Sequence, residues 1–351
     1  MPQTMTLADI LTRLTREGEL YEKLHDQRLR CYACGHRCVI PEGRPGVCKV
    51  RFNKGGVLYV PAGYVGVLQC DPVEKKPFFH TLPGSLALSF GMLGCDLKCG
   101  YCQNWRTSQA IRDPNAVSPP ELVSPDYLVG AAEHYDAPII ASTYNEPLIT
   151  SEWAVEVFRL AKERGLKTAY ISNGNGTPQV MDYLKPWVDL YKVDLKGFND
   201  LNYRKLGGVL QNVLDTIKLL VEKRFWVEIV TLVVPGFNDS DAELTQIAEF
   251  LASVSVDLPW HVTAFHQDYK MRDRDDTAAT SLIKAAEIGR RAGLRYVYAG
   301  NLPGRVGTLE NTYCPSCQAL LIERYGYTIL KNVLENGACP DCHTPIPGVW
   351  H

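Results

Sequence analysis

Leu7, Ile10, Leu11, Leu14, Leu20, Tyr21 and Leu24 recur at helical spacing, broken only near Gly18, and predict a helical segment over residues 6–27. From Cys31 to Cys48 the chain is rich in Gly, Pro and Cys and has neither a helical nor a strand period, the pattern of a small metal-folded loop. Two short strand-like runs follow at 56–60 and 64–68, parted by Pro61 and Gly63. Beyond Gly84 the pattern becomes regular. Apolar, β-rich runs recur at 86–93, 138–144, 167–172, 188–193, 225–234, 260–265 and 294–298, with amphipathic helical segments between most of them. Ser124–Pro125 and Thr177–Pro178 read as an N-cap followed by proline at the first helical position, and Ser240 with Glu243 matches a capping box. Gly165 and Gly293 stand where helix C-caps belong.

Strand–helix alternation of this kind predicts an α/β fold with a parallel sheet and helical crossovers. Six or seven units are too few for a closed eight-stranded barrel, so the expectation is an open, partial (β/α)6 TIM-like barrel with ligands beyond the C-terminal strand ends. Residues 1–84 then form an N-terminal helix and Cys-rich metal-binding region, 85–305 the partial barrel, and 306–351 a C-terminal four-cysteine ribbon of zinc-ribbon or rubredoxin type around a strand-like stretch at 320–334.

Charge changes the picture little. The net charge of −2 offers no basic surface for nucleic acid, no apolar run is long enough for a bilayer, and the N-terminus lacks a secretory apolar run. A cytoplasmic chain is expected. The 12 cysteines change it a great deal, because in a reducing compartment clustered cysteines read as metal ligands rather than disulfides. Eleven fall into three groups: Cys31, Cys34, Cys38 and Cys48; Cys95, Cys99 and Cys102; Cys314, Cys317, Cys339 and Cys342. Cys70 stands alone, read either as a small buried residue or as a resolving or radical-carrying thiol.

The central group follows the first strand of the regular region with x3 then x2 spacing. Three thiolates on a tight loop can hold three irons of a 4Fe–4S cube and leave the fourth iron without a protein ligand, the open position that a catalytic metal site needs. The bland alternatives are a zinc site missing a ligand, or three buried thiols. Cys-x3-Cys-x2-Cys, with aromatic Tyr101 before the third cysteine, resembles the hallmark of the radical S-adenosylmethionine (SAM) superfamily. The resemblance implies that SAM chelates the open iron and is cleaved reductively to a 5′-deoxyadenosyl radical. It also implies cofactor contacts at successive strand ends. Asn145 and Glu146, in Thr143-Tyr-Asn-Glu-Pro147, would meet the methionine ammonium, and Ser172 and Asn173 end the next strand. Asp194-Leu-Lys196 resembles the Asp-x-Lys motif of glycyl-radical-enzyme activases, and Val234-Pro-Gly-Phe-Asn-Asp239 resembles a turn of the same group. His266 is a candidate cofactor or substrate contact. Each of these residues, Lys196 included, has a plain surface or loop reading as well.

Over nearly the whole chain the resemblance is nearest to the AmmeMemoRadiSam radical enzymes, relatives of pyruvate formate-lyase activating enzyme. It is carried by Cys31-Tyr-Ala-Cys-Gly-His-Arg-Cys38, Asp71-Pro-Val-Glu-Lys-Lys-Pro77, Cys102-Gln-Asn-Trp105, Thr143–Pro147, and Cys339-Pro-Asp-Cys342 with Pro347-Gly-Val-Trp350. It implies Memo-like and AMMECR-like protein partners and a low-potential electron donor, and leaves the substrate unknown. The C-terminal four cysteines, paired in two Cys-Pro-x-Cys turns, favour structural zinc over iron, since all four positions are filled and no open site remains. The N-terminal four, with His36 as an alternative ligand, suit either zinc or a second Fe–S cluster. Glu74, Lys75 and Lys76 are a solvated charge run or a substrate contact at the barrel mouth. The competing functional reading is a non-catalytic iron–sulfur electron-transfer or metal-binding protein; a zinc-dependent interaction module would explain only the chain ends.

Overall fold

The computed structural model describes residues 6–351. Its centre is one eight-stranded sheet, labelled here in chain order β1 (Val67–Pro72), β2 (Leu86–Gly91), β3 (Ile139–Ser142), β4 (Lys167–Ser172), β5 (Leu190–Asp194), β6 (Trp226–Val233), β7 (Trp260–Ala264) and β8 (Val297–Gly300). The strands lie side by side in that order, so the sheet is open, with β1 and β8 at its edges. β2 to β8 are all parallel, whereas β1 pairs antiparallel with β2 from Val67↔Gly91 to Pro72↔Leu86. Seven parallel strands exceed the six of a (β/α)6 barrel by one.

Helices Pro125–His134, Ser151–Glu163, Pro178–Leu184, Leu210–Glu222, Asp241–Val254 and Ala279–Arg291 make the crossovers. Their starts follow the capping chemistry in the sequence. Ser124 and Thr177 hydroxyls accept the N–H groups of Tyr127 and Val180, each before a proline at the first helical position. Ser240 accepts the N–H of Glu243, but the Glu243 carboxylate reaches instead to the Phe198 N–H, 2.7 Å away. Most strand side chains on both faces are apolar and buried, as in parallel sheets generally; Tyr170, Tyr191 and Trp260 are among the largest, and Trp153 packs against the sheet from helix Ser151–Glu163.

Outside the sheet the structure departs from the hydrophobic period. The N-terminal helix is only Leu7–Arg13, and the rest of 6–27 holds the strands Thr15–Glu17 and Tyr21–Lys23. Thr15–Glu17 pairs with Val57–Pro61, and Tyr21–Lys23 pairs with Leu29–Cys31. Long-range backbone pairing has overridden a local helical spacing there. The strand expected over 64–68 divides into Tyr64–Val65, which pairs with Glu121–Leu122, and β1. At the other end, 320–334 is a hairpin of Leu320–Tyr325 and Thr328–Asn332 rather than one strand. This C-terminal sheet packs Leu321, Ile322 and Ile346 against Phe79, Tyr296 and Tyr298 at the β8 edge. Arg324 clamps the joint, donating to the Phe79 carbonyl at 2.7 Å and lying 4.4 Å over its ring.

Candidate functional site

β2 ends at Gly91 because the chain passes too close to its neighbour for a side chain. A Cβ there would lie 2.5 Å from the Thr143 carbonyl oxygen and 2.8 Å from the Tyr144 Cβ. The loop that follows carries the three central cysteines and is pinned on several sides. Lys98 N–H donates to the Leu206 carbonyl at 2.8 Å, and Arg112 Nη1 donates to the Leu97 carbonyl at 2.8 Å. Leu97 N–H donates to Cys95 Sγ at 3.3 Å, and Ser108 Oγ lies 3.2 Å from Cys102 Sγ. Around the thiols pack Tyr101, Leu206, Val234 and Phe265, and Phe237 meets Tyr101 edge-on with 5.6 Å between ring centroids.

Burial pushes the Cys99 thiol up to about 12, opposed in part by the nearby Lys196 ammonium. Burial also raises Cys102. Thiols in this state are poor nucleophiles, and a bound metal is the agent that would make them thiolates. The donor set fits a cluster. Cys95 and Cys99, and Cys99 and Cys102, are near enough to feel each other's charge. Among the described residues, no three donor atoms at this loop lie within 4.8 Å of one another, so no side chain joins them to cage a single ion.

Cys99, Tyr101 and Cys102 form one wall of a cavity of about 550 Å³ that opens over the C-terminal strand ends. Its floor is Lys192 and Asp194 on β5, Val230 and Leu232 on β6, His261 and Thr263 on β7, and Ala299 and Gly300 on β8. Its far wall is Glu74, Lys75, Lys76 and Tyr144, and Tyr327 of the C-terminal hairpin closes one side. Asp194 accepts from Lys192 Nζ and, at 3.5 Å, from Lys196 Nζ. Burial works to raise this carboxyl, but the two ammonium groups hold it below the usual range. Burial works against the Lys196 charge as well, and Asp194 and the Cys99 sulfur outweigh it, holding its pKa well above the ordinary lysine value. His266 is exposed and lines the cavity.

Asn145, Glu146, Ser172 and Asn173 are gathered beside this cavity but do not line it. Glu146 Oε1 accepts from Ser172 Oγ at 2.7 Å and Oε2 from the Asn173 N–H at 2.7 Å, tying the ends of β3 and β4 together. Asn145 Oδ1 accepts the Met92 N–H at 3.1 Å and so holds the start of the cysteine loop. Burial, then the charge of Asp96, raise the Glu146 carboxyl to about 8. Asp96 is the hub that motif reading passed over. Buried beside Cys95, it accepts from Asn173 Nδ2 and Asn175 Nδ2, both at 2.7 Å. Lys192 was also missed, although strand alternation places it on the same face as Asp194. In the Asp71–Pro77 segment, Lys75 and Lys76 both donate to Asp71, at 2.8 and 2.9 Å, and Lys76 reaches the Tyr144 hydroxyl at 3.2 Å. Cys70 is half-buried on β1.

The flanking cysteines differ in geometry. Cys314, Cys317, Cys339 and Cys342 have sulfurs all within 4.8 Å of one another, with Cys314–Cys342 at 3.5 Å and Cys317–Cys339 at 3.6 Å, a cage of the size a single ion needs. Cys31, Cys34 and Cys48 are buried and Cys38 half-buried, in a wider arrangement.

Residues 91–250 match the Radical SAM superfamily, a span that holds the central cysteines and the strand ends as far as Asp239. The chain is 38% identical over 331 residues to an uncharacterized protein of Methanocaldococcus jannaschii, covering 93% of this chain and 97% of that one. It is 28% identical over 255 residues to the pyruvate formate-lyase 1-activating enzyme of Escherichia coli K12, covering 71% of this chain and 92% of that enzyme. A solved domain of a pyruvate-formate lyase-activating enzyme from Bacteroides vulgatus aligns at 18% identity with a TM-score of 0.40, over 46% of this chain and 98% of that one.

Proposed function

We propose that this chain, whose residues 91–250 match the Radical SAM superfamily, is an activating-enzyme-like radical SAM enzyme that abstracts hydrogen from a protein or small-molecule substrate. The observation that carries the reading is that Cys99 and Cys102 face the same cavity as the Lys192, Asp194 and Lys196 row at the end of β5. When bound, the 4Fe–4S cluster supplies the electron that cleaves SAM, and the cofactor supplies the 5′-deoxyadenosyl radical.

The chain's own residues bind, orient and shield. Cys95, Cys99 and Cys102 would hold the cluster. Lys196 presents a cation suited to a carboxylate, and Asp194 an acceptor suited to ribose hydroxyls. Glu146 and Asn145, with Ser172 and Asn173, fix the strand ends on which the cofactor would rest. Tyr101, Leu232 and the apolar packing behind them exclude water. Lys75, Lys76 and Tyr144, across the cavity from the cysteines, are the proposed substrate contacts. The Escherichia coli relative is named for activating pyruvate formate-lyase, which supports a protein substrate; a cavity of about 550 Å³ is also of a size that suits a small molecule.

Zinc is proposed for the C-terminal cage, whose thiolate set and narrow spacing suit one tetrahedral ion. The proposed partners are a low-potential electron donor and, on the family resemblance, Memo-like and AMMECR-like proteins. A cytoplasmic setting agrees with the twelve free cysteines. Among the described residues no helix is long and apolar enough to cross a membrane.

The test is direct. Anaerobically reconstituted protein, given dithionite and SAM, is expected to release 5′-deoxyadenosine, and Cys99→Ala to abolish the release. Undiminished cleavage in that variant would refute the assigned cluster loop.

A further inference from the structure

We propose that Cys31, Cys34, Cys38 and Cys48 hold a second iron–sulfur cluster, seated against the loop of the first. The strand Leu29–Cys31 delivers the first of these thiols, and the chain returns so that the Cys31 N–H donates to the Cys38 carbonyl at 3.0 Å. The turn after Gly46 brings in Cys48.

The width of the set separates a cluster from zinc. A tetrahedral ion with bonds of ~2.3 Å draws its sulfurs to about 3.8 Å from one another. The C-terminal cysteines meet that demand. Among the described residues, no three of the N-terminal sulfurs lie within 4.8 Å of one another. A four-iron cube takes each thiolate on a different iron and therefore spreads them wider. The same holds for the central three cysteines, so the N-terminal set shares their spacing class and not that of the C-terminal cage.

A second observation comes from Arg51, which is 1% exposed. Its Nη groups bond to Glu152 and to the Ile149 carbonyl, while its buried Nε has no hydrogen-bond partner in the protein. Cys31 and Cys48 are both near enough to act on its charge. A buried donor lacking an acceptor calls for a ligand, and the sulfurs of an anionic cluster supply acceptors as well as a charge for the guanidinium to balance.

The two cysteine loops touch. A Cβ on Gly94 would stand 3.3 Å from the Cys48 carbonyl and 2.9 Å from Val50 Cγ1. His36 Nε2 lies 3.2 Å from the Asp96 carbonyl, and the Gly35 N–H donates to the Asn175 carbonyl at 2.7 Å. Two clusters at these positions would be neighbours, and their unpaired spins would interact when both are reduced.

The decisive protein is the full chain carrying Cys95→Ser, Cys99→Ser and Cys102→Ser, which removes the central ligands and leaves the N-terminal ones intact. Reconstituted without oxygen using iron and sulfide, this variant is expected to keep about four irons and four sulfides per chain, half of the wild-type content. Its reduced form should show a single, unbroadened cluster signal by electron paramagnetic resonance, against an interaction-broadened one in the wild type. A variant with no iron overturns the inference, whether its N-terminal site takes up a further zinc or stays empty. Loss of the proposed reaction looks different: the wild type would then hold no more iron than the triple variant. Should the triple variant fail to fold, Cys34→Ser with Cys48→Ser carries the test, since it is expected to halve the iron and leave the zinc unchanged; loss of zinc alone would overturn the inference.

Discussion

Arg51 and Glu152 form a doubly hydrogen-bonded ion pair sealed from solvent, with Nη1 2.6 Å from Oε2 and Nη2 2.7 Å from Oε1. The pair joins the N-terminal cysteine region to helix Ser151–Glu163 of the barrel, and Glu152 Oε1 also accepts the N–H groups of Glu19 and Leu20. Burial works to raise the Glu152 carboxyl, and Arg51 holds it below the ordinary value. Removing one partner strands a buried charge, at a cost of about 3–5 kcal/mol. Glu152→Ala is therefore expected to lower the thermal midpoint sharply, and replacing both residues by apolar ones of similar volume to restore much of it. Calorimetry on the single and double variants checks this.

Glu146 sets a pH dependence of opposite sign. Its folded pKa of about 8 lies above the ordinary 4.5, so the folded chain keeps a proton that the unfolded chain releases. Stability from this group is full below the ordinary value and is lost as pH rises towards about 8. In cluster-free protein, Glu146→Gln is expected to flatten the fall in melting temperature across that window. An unchanged slope would place the titration elsewhere.

Lys196 is expected to act on cofactor affinity. A hydrogen bond to a charged group contributes about 1.5–3 kcal/mol, so Lys196→Met should weaken SAM binding roughly 10- to 100-fold. Cluster iron content should stay at the wild-type level. Isothermal titration on reconstituted protein separates the two effects, and equal affinity in the variant would remove Lys196 from the cofactor site.

Gly91→Ala tests the close approach behind the cysteine loop. With backbone and Cβ atoms at 2.5 and 2.8 Å from the new methyl group, β2 or β3 must shift. The expected cost is about 1–3 kcal/mol, with reduced cluster occupancy because the first cysteine of the loop, Cys95, stands four residues on. Chemical denaturation and iron analysis read the two consequences.

Much of this architecture is legible along the chain. The 167–172 run matches β4 to the residue, and the other six barrel strands fall within their predicted runs or overlap them, because a parallel strand covered on both faces is mostly apolar along its length. The cysteine groups announce themselves by spacing, which is a property of local loops. The 6–27 helix fails for the complementary reason: the partners of Thr15–Glu17 lie at Val57–Pro61, and no local period reports a pairing across forty residues of intervening chain. The same limit hides the antiparallel edge strand β1, the Asp96 hub shared by Asn173 and Asn175, and the solitary Nε of Arg51. Spacing along the backbone names the donors of a metal site; how far apart their sulfurs finally stand depends on which distant loops press against them, and folding alone decides that.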